Sequence, residues 1–312
     1  ADDVRDADIL LVRSVTPVNA ALLAGSRVRF VGSCTIGMDH VDTDWLDANG
    51  IHYACAPGCN ARAVVEYVMS ALLALQIPLD GSKTVGVVGC GNVGGNVLRT
   101  LQGMGVPCCG YDPFLVNSDL PLTSFNSVLA CDVICLHTPL TRTGDFPTFH
   151  LLNAQAIAQL KPGTVLLNAG RGAAIDNAAL LARLQEKNDI QVVLDVWENE
   201  PAINADLLAQ VAIGTPHIAG YSAEGKWRGT LMVYQALCAF LGIDEQAMPV
   251  ILEGDVVPYC VQKDDQDLRA QFAIDGAIAF DRLRKNYVPR REGGFVAVLP
   301  ELDAVLKKVF TV

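Results

Sequence analysis

Six short, continuously apolar runs recur between residues 84 and 218, and this repetition constrains the fold more than any other feature. They lie at about 84–89, 107–113, 132–137, 164–168, 190–196 and 212–218. A strand without alternation is apolar on both faces and must be covered on both. Helical spacing appears between the runs, at about 93–104 and at 177–187, where Asp176 is placed to cap the first turn. Apolar strands alternating with helices predict an α/β domain with a parallel sheet between two helical layers. Six such strands fit a Rossmann-type dinucleotide-binding domain over residues 77–221.

The first run ends in Gly89-Cys90-Gly91-Asn92-Val93-Gly94 and opens directly into a helix. GxGxxG alone means little in a chain with 27 glycines. After a strand and before a helix it gains meaning, because the glycines permit a tight turn and close backbone approach to a pyrophosphate. The helix N-terminus then offers unpaired N–H groups and a positive dipole end to that anion. Asp112 ends the next strand. A carboxylate there can accept both adenosine ribose hydroxyls and would repel an extra phosphate, so the expected cofactor is NAD rather than NADP.

Three later loops follow strand ends, where ligands bind in open parallel sheets. They are Asn168-Ala169-Gly170-Arg171-Gly172, Asp195-Val196-Trp197-Glu198-Asn199-Glu200-Pro201, and Thr215-Pro216-His217-Ile218-Ala219-Gly220-Tyr221. Oxidising an alcohol requires a base for the hydroxyl proton, and histidine titrates in the useful range. A carboxylate partner would hold that ring, and an arginine fork suits a substrate carboxylate. Spacing alone leaves Glu198 and Glu200 as equal candidates for the partner. Singly, His217 and Arg171 could be structural; their joint place on one sheet rim favours chemistry.

The flanks read differently. Residues 1–76 carry two strands, at 7–12 and 28–32, and a long helix at 61–76. They predict a smaller α/β substrate domain that opens on what should be an internal strand, which implies a preceding strand and helix. A helix over 222–245 returns to it. Residues 246–312 shift to a charged helix over 268–284, a basic stretch, and a final strand and helix, enough for a small third domain.

A net charge of −11 argues against a nucleic-acid partner, since phosphate neutralisation needs a basic face. It also means that an anionic substrate needs a dedicated positive pocket. No apolar run approaches the roughly 20 residues of a membrane span, and no signal-type segment opens the chain, so the expected setting is cytoplasmic. The ten cysteines include no paired CxxC and no histidine at zinc-finger spacing. They read as buried thiols, with no metal site expected.

The blocks 89–94, 168–172, 195–201 and 216–220 resemble the D-isomer-specific 2-hydroxyacid dehydrogenases. Five flanking runs narrow the resemblance: Val12-Arg13-Ser14-Val15-Thr16, Gly37-Met38-Asp39-His40-Val41-Asp42, Ala56-Pro57-Gly58-Cys59-Asn60-Ala61, the stretch 217–226, and 280–287 with Arg290-Arg291-Glu292. They point to the branch that oxidises 4-phospho-D-erythronate in vitamin B6 biosynthesis. The resemblance implies a flavodoxin-like substrate domain and a small α+β C-terminal domain that serves homodimerisation. It makes Arg171 the ligand of the substrate carboxylate, His217 the proton acceptor and Glu200, immediately before Pro201, its partner. Gly89, Gly91, Asn92, Val93, Gly94, Asp112, Thr138, Ala169, Gly170, Asp195 and Gly220 map to cofactor contacts. Ser14, Thr35 and Tyr221 map to substrate contacts. For the phosphate, Arg13, Lys226 and Arg228 are the candidates, although Lys226 could equally lie on a solvated face. The rival readings are a dehydrogenase of 3-phosphoglycerate, glycerate or a simple 2-hydroxy acid, and a non-catalytic NAD-sensing regulator.

Overall fold

The computed structural model describes residues 2–252, 254–295 and 298–310. The chain divides into two compact units, residues 1–60 with 222–255, and residues 61–221 with 256–312.

The first unit is built on a parallel sheet of β1 (Ile9–Val12), β2 (Phe30–Ser33) and β3 (His52–Ala54), in that order. Helices α1 (Ala20–Leu23) and α2 (Thr43–Ala48) are the crossovers, each started by a side-chain cap, Asn19 and Asp42. The third strand and α2 escape a reading from apolar runs, because β3 is short and largely exposed. Val12, Leu23, Val31 and Leu46 form its core. A later helix, Ala223–Leu241, capped by Ser222, packs on β2 and β3. It comes so close that a Cβ at Gly32 would sit 2.5 Å from Cγ1 of Val233.

The second unit starts with α3 (Ala61–Ala74), drawn there by packing of Val65, Val68 and Leu72 with Val85 and Val97. The division therefore falls at residue 60, not at the expected 76. Then follow β4 (Val85–Val88), α4 (Gly94–Gly103), β5 (Cys108–Tyr111), α5 (Phe125–Leu129), β6 (Val133–Leu136), α6 (Ala154–Gln159) and β7 (Val165–Asn168). The alternation ends with α7 (Asn177–Glu186), β8 (Gln191–Leu194), α8 (Ala205–Gln210) and β9 (Ile213–Gly214). All six strands are parallel, in the order β5-β4-β6-β7-β8-β9. The direction of winding reverses between β4 and β6, and that switch point opens a crevice at the strand C-termini. Asp176 caps α7 by accepting from the N–H of Ala179 at 2.9 Å.

In chain order α9 is Ala223–Leu241, and the last segment holds α10 (Val261–Asp275), α11 (Ala277–Lys285) and α12 (Pro300–Val309). Two features of this segment correct the sequence reading. The single charged helix is two helices, divided at Gly276, whose φ of 54° is costly for residues with a Cβ. No strand lies among the described residues of 256–312; Leu299 N–H donates to Phe295 O, and 296–297, inside the apolar run, lie outside the described residues. The segment also groups with the six-stranded sheet, not as a separate third body. Helix α12 packs on α4, and α10 covers the sheet edge at β9. There Asp265 accepts the Gly214 N–H at 2.7 Å, and Arg269 donates to the carbonyls of Leu208 and Val211 at 2.5 and 2.8 Å.

Candidate active site

The site begins with a strand cut short. The apolar run from residue 212 forms strand only at Ile213 and Gly214; Thr215 N–H still reaches Leu194 O at 2.9 Å, Pro216 has no N–H to donate, and the buried Asp195 carboxylate takes up backbone N–H groups beyond it. It accepts the N–H groups of Ile218 and Ala219 at 2.7 and 3.0 Å and the Thr215 hydroxyl at 2.7 Å. The His217 N–H donates to the Asp195 carbonyl at 2.8 Å. These bonds fix His217 at a φ of 57°, a conformation that a residue with a Cβ adopts only when its surroundings impose it. Burial pushes the Asp195 carboxyl up, opposed by His217 and by the donors around it.

Held in this way, His217 meets Glu200 at 2.7 Å between Nδ1 and Oε2. Glu200 Oε1 accepts the Trp197 N–H at 2.9 Å. Burial raises the Glu200 carboxyl, but His217, the Trp197 N–H and Arg284 outweigh it and hold it below its ordinary value. With Nδ1 engaged by a carboxylate, Nε2 is the ring atom available to exchange a proton. Glu198 goes elsewhere: its carboxylate takes His150 Nε2 at 2.7 Å and the Asn177 N–H at 2.9 Å. Arg171 stands on the adjoining loop, which packs so tightly that a Cβ on Gly172 would overlap the Trp197 backbone. Asn168 braces that loop by donating to Arg171 O at 2.9 Å and accepting from Gly170 N–H at 3.0 Å.

The crevice at the switch point has the form a dinucleotide needs. A Cβ on Gly94 would lie 1.9 Å from Gly89 O, and one on Gly89 would lie 2.9 Å from Thr138 N, so neither position tolerates a side chain. Gly91 faces open space, and no side chain caps the first turn of α4. Thr138 Oγ1 is buried with no partner among the described residues, a polar atom placed for a ligand. Asp112 accepts the N–H groups of Cys90 and Phe114, both at 3.0 Å, one on each oxygen, and has lone pairs left for ribose hydroxyls. His137, beside Thr138, is fully enclosed, and burial pushes its imidazole down to about 4, so it is neutral filler under the loop.

Comparison with known proteins agrees with this chemistry. Residues 74–219 match the family model for the NAD-binding domain of D-isomer-specific 2-hydroxyacid dehydrogenases. An erythronate-4-phosphate dehydrogenase of Cellvibrio japonicus is 51% identical over 321 residues, covering 94% of this chain and 85% of the relative. One from Saccharophagus degradans is 50% identical, covering 93% and 84%. The chain belongs to the erythronate-4-phosphate dehydrogenases. Among solved structures, the TT0316 protein of Thermus thermophilus superposes with a TM-score of 0.68 at 25% identity, covering 78% of this chain and 86% of that one. The protein is therefore an NAD-dependent 2-hydroxyacid dehydrogenase of the α/β class, and the glycine loop, Thr138 and Asp112 are its residues that fit NAD.

The remaining expected positions of this dehydrogenase divide between the two units. Asn92 and Val93 stand in the glycine loop, and Ala169, Gly170 and Gly220 in the two later loops. The Tyr221 ring meets Tyr287 edge-on at 6.0 Å. In the first unit, Arg13 and Ser14 follow β1, both exposed, and Thr35 follows β2, its hydroxyl 2.7 Å from Ser33 Oγ. Lys226 and Arg228 stand at the start of α9, where Arg228 Nε donates to Cys59 O at 2.7 Å. Burial lowers Lys226, with Arg13 as the second cause, and Arg228 and Arg13 both act on the Cys59 thiol. The three cations thus share one neighbourhood.

Among the described residues, His150, Asp176 and Glu198 are grouped closely enough to hold a metal ion. The ring instead bridges the carboxylates, with Nε2 on Glu198 and Nδ1 3.7 Å from Asp176. Both acids also accept backbone N–H groups, those of Asn177 and Ala179. No helix among the described residues is long and apolar enough to cross a membrane.

Proposed function

We propose that this dehydrogenase oxidises 4-phospho-D-erythronate at C2, giving (R)-3-hydroxy-2-oxo-4-phosphobutanoate, a step of pyridoxal 5'-phosphate biosynthesis. The observation that carries the reading is the His217–Glu200 pair at 2.7 Å on the rim of a dinucleotide crevice. His217 Nε2 takes the C2 hydroxyl proton, and Glu200 stabilises the ring as it becomes charged. Bound NAD supplies the acceptor for the C2 hydride. Arg171 holds the substrate carboxylate with its planar fork, which also polarises the oxygen on C2. Ser14, Thr35 and Tyr221 contribute hydroxyls to the substrate. The Arg13, Lys226 and Arg228 neighbourhood supports a phosphorylated substrate, because several cations close together suit a phosphate group.

The test is NAD reduction with 4-phosphoerythronate and with 3-phosphoglycerate. The expected kcat/KM favours the four-carbon acid by at least about 10²-fold, because recognition by several charged contacts discriminates strongly. Equal rates, or a preference for 3-phosphoglycerate, would remove the substrate assignment. Repeating the assay with NADP tests Asp112, whose carboxylate should make NADP the poorer cofactor.

We also propose that the protein is a homodimer formed through its C-terminal segment. Ile274, Ile278 and Val288 support this, being 81%, 71% and 83% exposed on one short stretch of chain. Sedimentation of the wild type should give a dimer, and Ile274→Asp with Ile278→Asp should give monomer. A dimer that survives both changes refutes this interface.

A further inference from the structure

The last turn of α11 carries three basic residues, Arg282, Arg284 and Lys285. Two of them serve their own neighbourhood. Arg282 reaches Asp275 at 2.8 Å, and Lys285 reaches Asp281 at 2.6 Å. Arg284 does not: its Nη1 lies 3.4 Å from Glu200 Oε2, the same oxygen that meets His217. We propose that Arg284 is a positioning residue for the acid–base pair, holding Glu200 and setting the pH at which the pair takes up a proton. This rests on the acid–base reading given under Proposed function.

The physical case concerns one shared oxygen. A cation on Oε2 favours the ionised carboxylate, and it opposes a second positive charge on the imidazole. It also draws part of the carboxylate's charge away from the ring. Both effects make the pair release its proton more readily. The side chains of Arg284, Glu200 and His217 are 25%, 16% and 27% exposed, so the attraction is screened by water but not abolished. Asp195 lies within electrostatic reach of His217, its oxygens already occupied by Thr215, Ile218 and Ala219. The Trp197 N–H takes the other Glu200 oxygen, and Arg171 stands on the loop packed against Trp197. Among these, Arg284 alone comes from outside the sheet-rim loops.

The experiment is the pH profile of kcat/KM for the full chain with NAD and 4-phosphoerythronate, with the His217 imidazole titrated by NMR in parallel. Arg284→Ala is expected to move the acid limb and the imidazole titration upward by about 0.5–1 pH unit, the discount reflecting partial exposure. Arg284→Lys keeps the charge and should follow the wild-type profile. Superimposed curves for wild type and Arg284→Ala would overturn the proposal. So would a uniform loss of rate at every pH with the midpoint unmoved, since that is what a mere helix anchor gives. Glu200→Gln separates the two levels of argument. If it leaves the acid limb in place, the acid–base reading fails. If it moves the limb while Arg284→Ala does not, only the role of Arg284 fails.

Discussion

His217→Ala is expected to lower turnover by about 10²–10⁴-fold, the range that a positioned general base supplies, with little change in stability. The stability half of this expectation follows from the backbone. His217 already sits at a φ of 57°, and alanine carries the same Cβ into the same conformation, so the substitution adds no new strain. Glu200 is not stranded either, because the Trp197 N–H and Arg284 remain on its two oxygens. The loop itself is held by backbone bonds to Asp195, which the substitution does not touch. Steady-state turnover with both substrates saturating, beside a urea unfolding curve, checks both halves. A variant that folds normally and turns over within a factor of about two of wild type would remove His217 from the mechanism, since general-base help is worth far more than that.

The sheet was legible in the sequence because its strands are apolar on both faces, and burial of every residue in β4, β6 and β7 is the physical counterpart of that pattern. The run from residue 212 reads too long for an instructive reason. Its apolar residues are buried whether or not they pair, and composition cannot tell that Asp195 pulls residues 217–219 out of the ladder. The choice between Glu198 and Glu200 shows the same limit at one residue. Asn199 between them has a φ of 61°, which reverses the chain and sends the two carboxylates to different histidines. Asparagine tolerates that conformation better than most residues, so a signal was present, but it marks a turn and does not say which acid faces the base.

The C-terminal segment was the least legible part. A charged helix reads by default as a solvated face, since its partners are not in the local pattern. Arg269, Arg284 and Arg290 instead reach carbonyls and carboxylates 61, 84 and 72 residues away in sequence. None of these pairings has a helical or strand period, so no windowed reading finds them. What they show together is that the segment braces the rim of the sheet: α10 holds the edge strand, Arg284 meets Glu200, and Arg290 takes the loop that follows His217.

Removing that last brace should have the largest effect on stability. Arg290→Met is expected to destabilise the protein by about 3–5 kcal/mol, because it leaves several backbone carbonyls without their donor, at about 1–3 kcal/mol for each that stays unsatisfied. Arg290 is half-buried, and its Nε is enclosed with no partner among the described residues. The two terminal nitrogens donate to the carbonyls of Ile218 and Tyr221 at 3.2 and 3.3 Å, and of Ala63 and Ala219 at 2.7 and 2.5 Å. The guanidinium also lies 4.2 Å over the Tyr259 ring, and its charge acts on the half-buried Asp264, which accepts from the hydroxyls of Tyr259 and Tyr287 at 3.0 and 3.1 Å. Methionine fills much of the volume and restores none of these bonds, so four carbonyls lose a donor and Asp264 loses a favourable charge. If the stranded charge is the dominant cost, Arg290→Met with Asp264→Asn must be less destabilised than the sum of the single variants, the signature of two coupled groups. Additive losses would assign the cost to the orphaned carbonyls instead, and a loss below about 1 kcal/mol in Arg290→Met would mean that the loop after His217 holds its shape without the C-terminal segment.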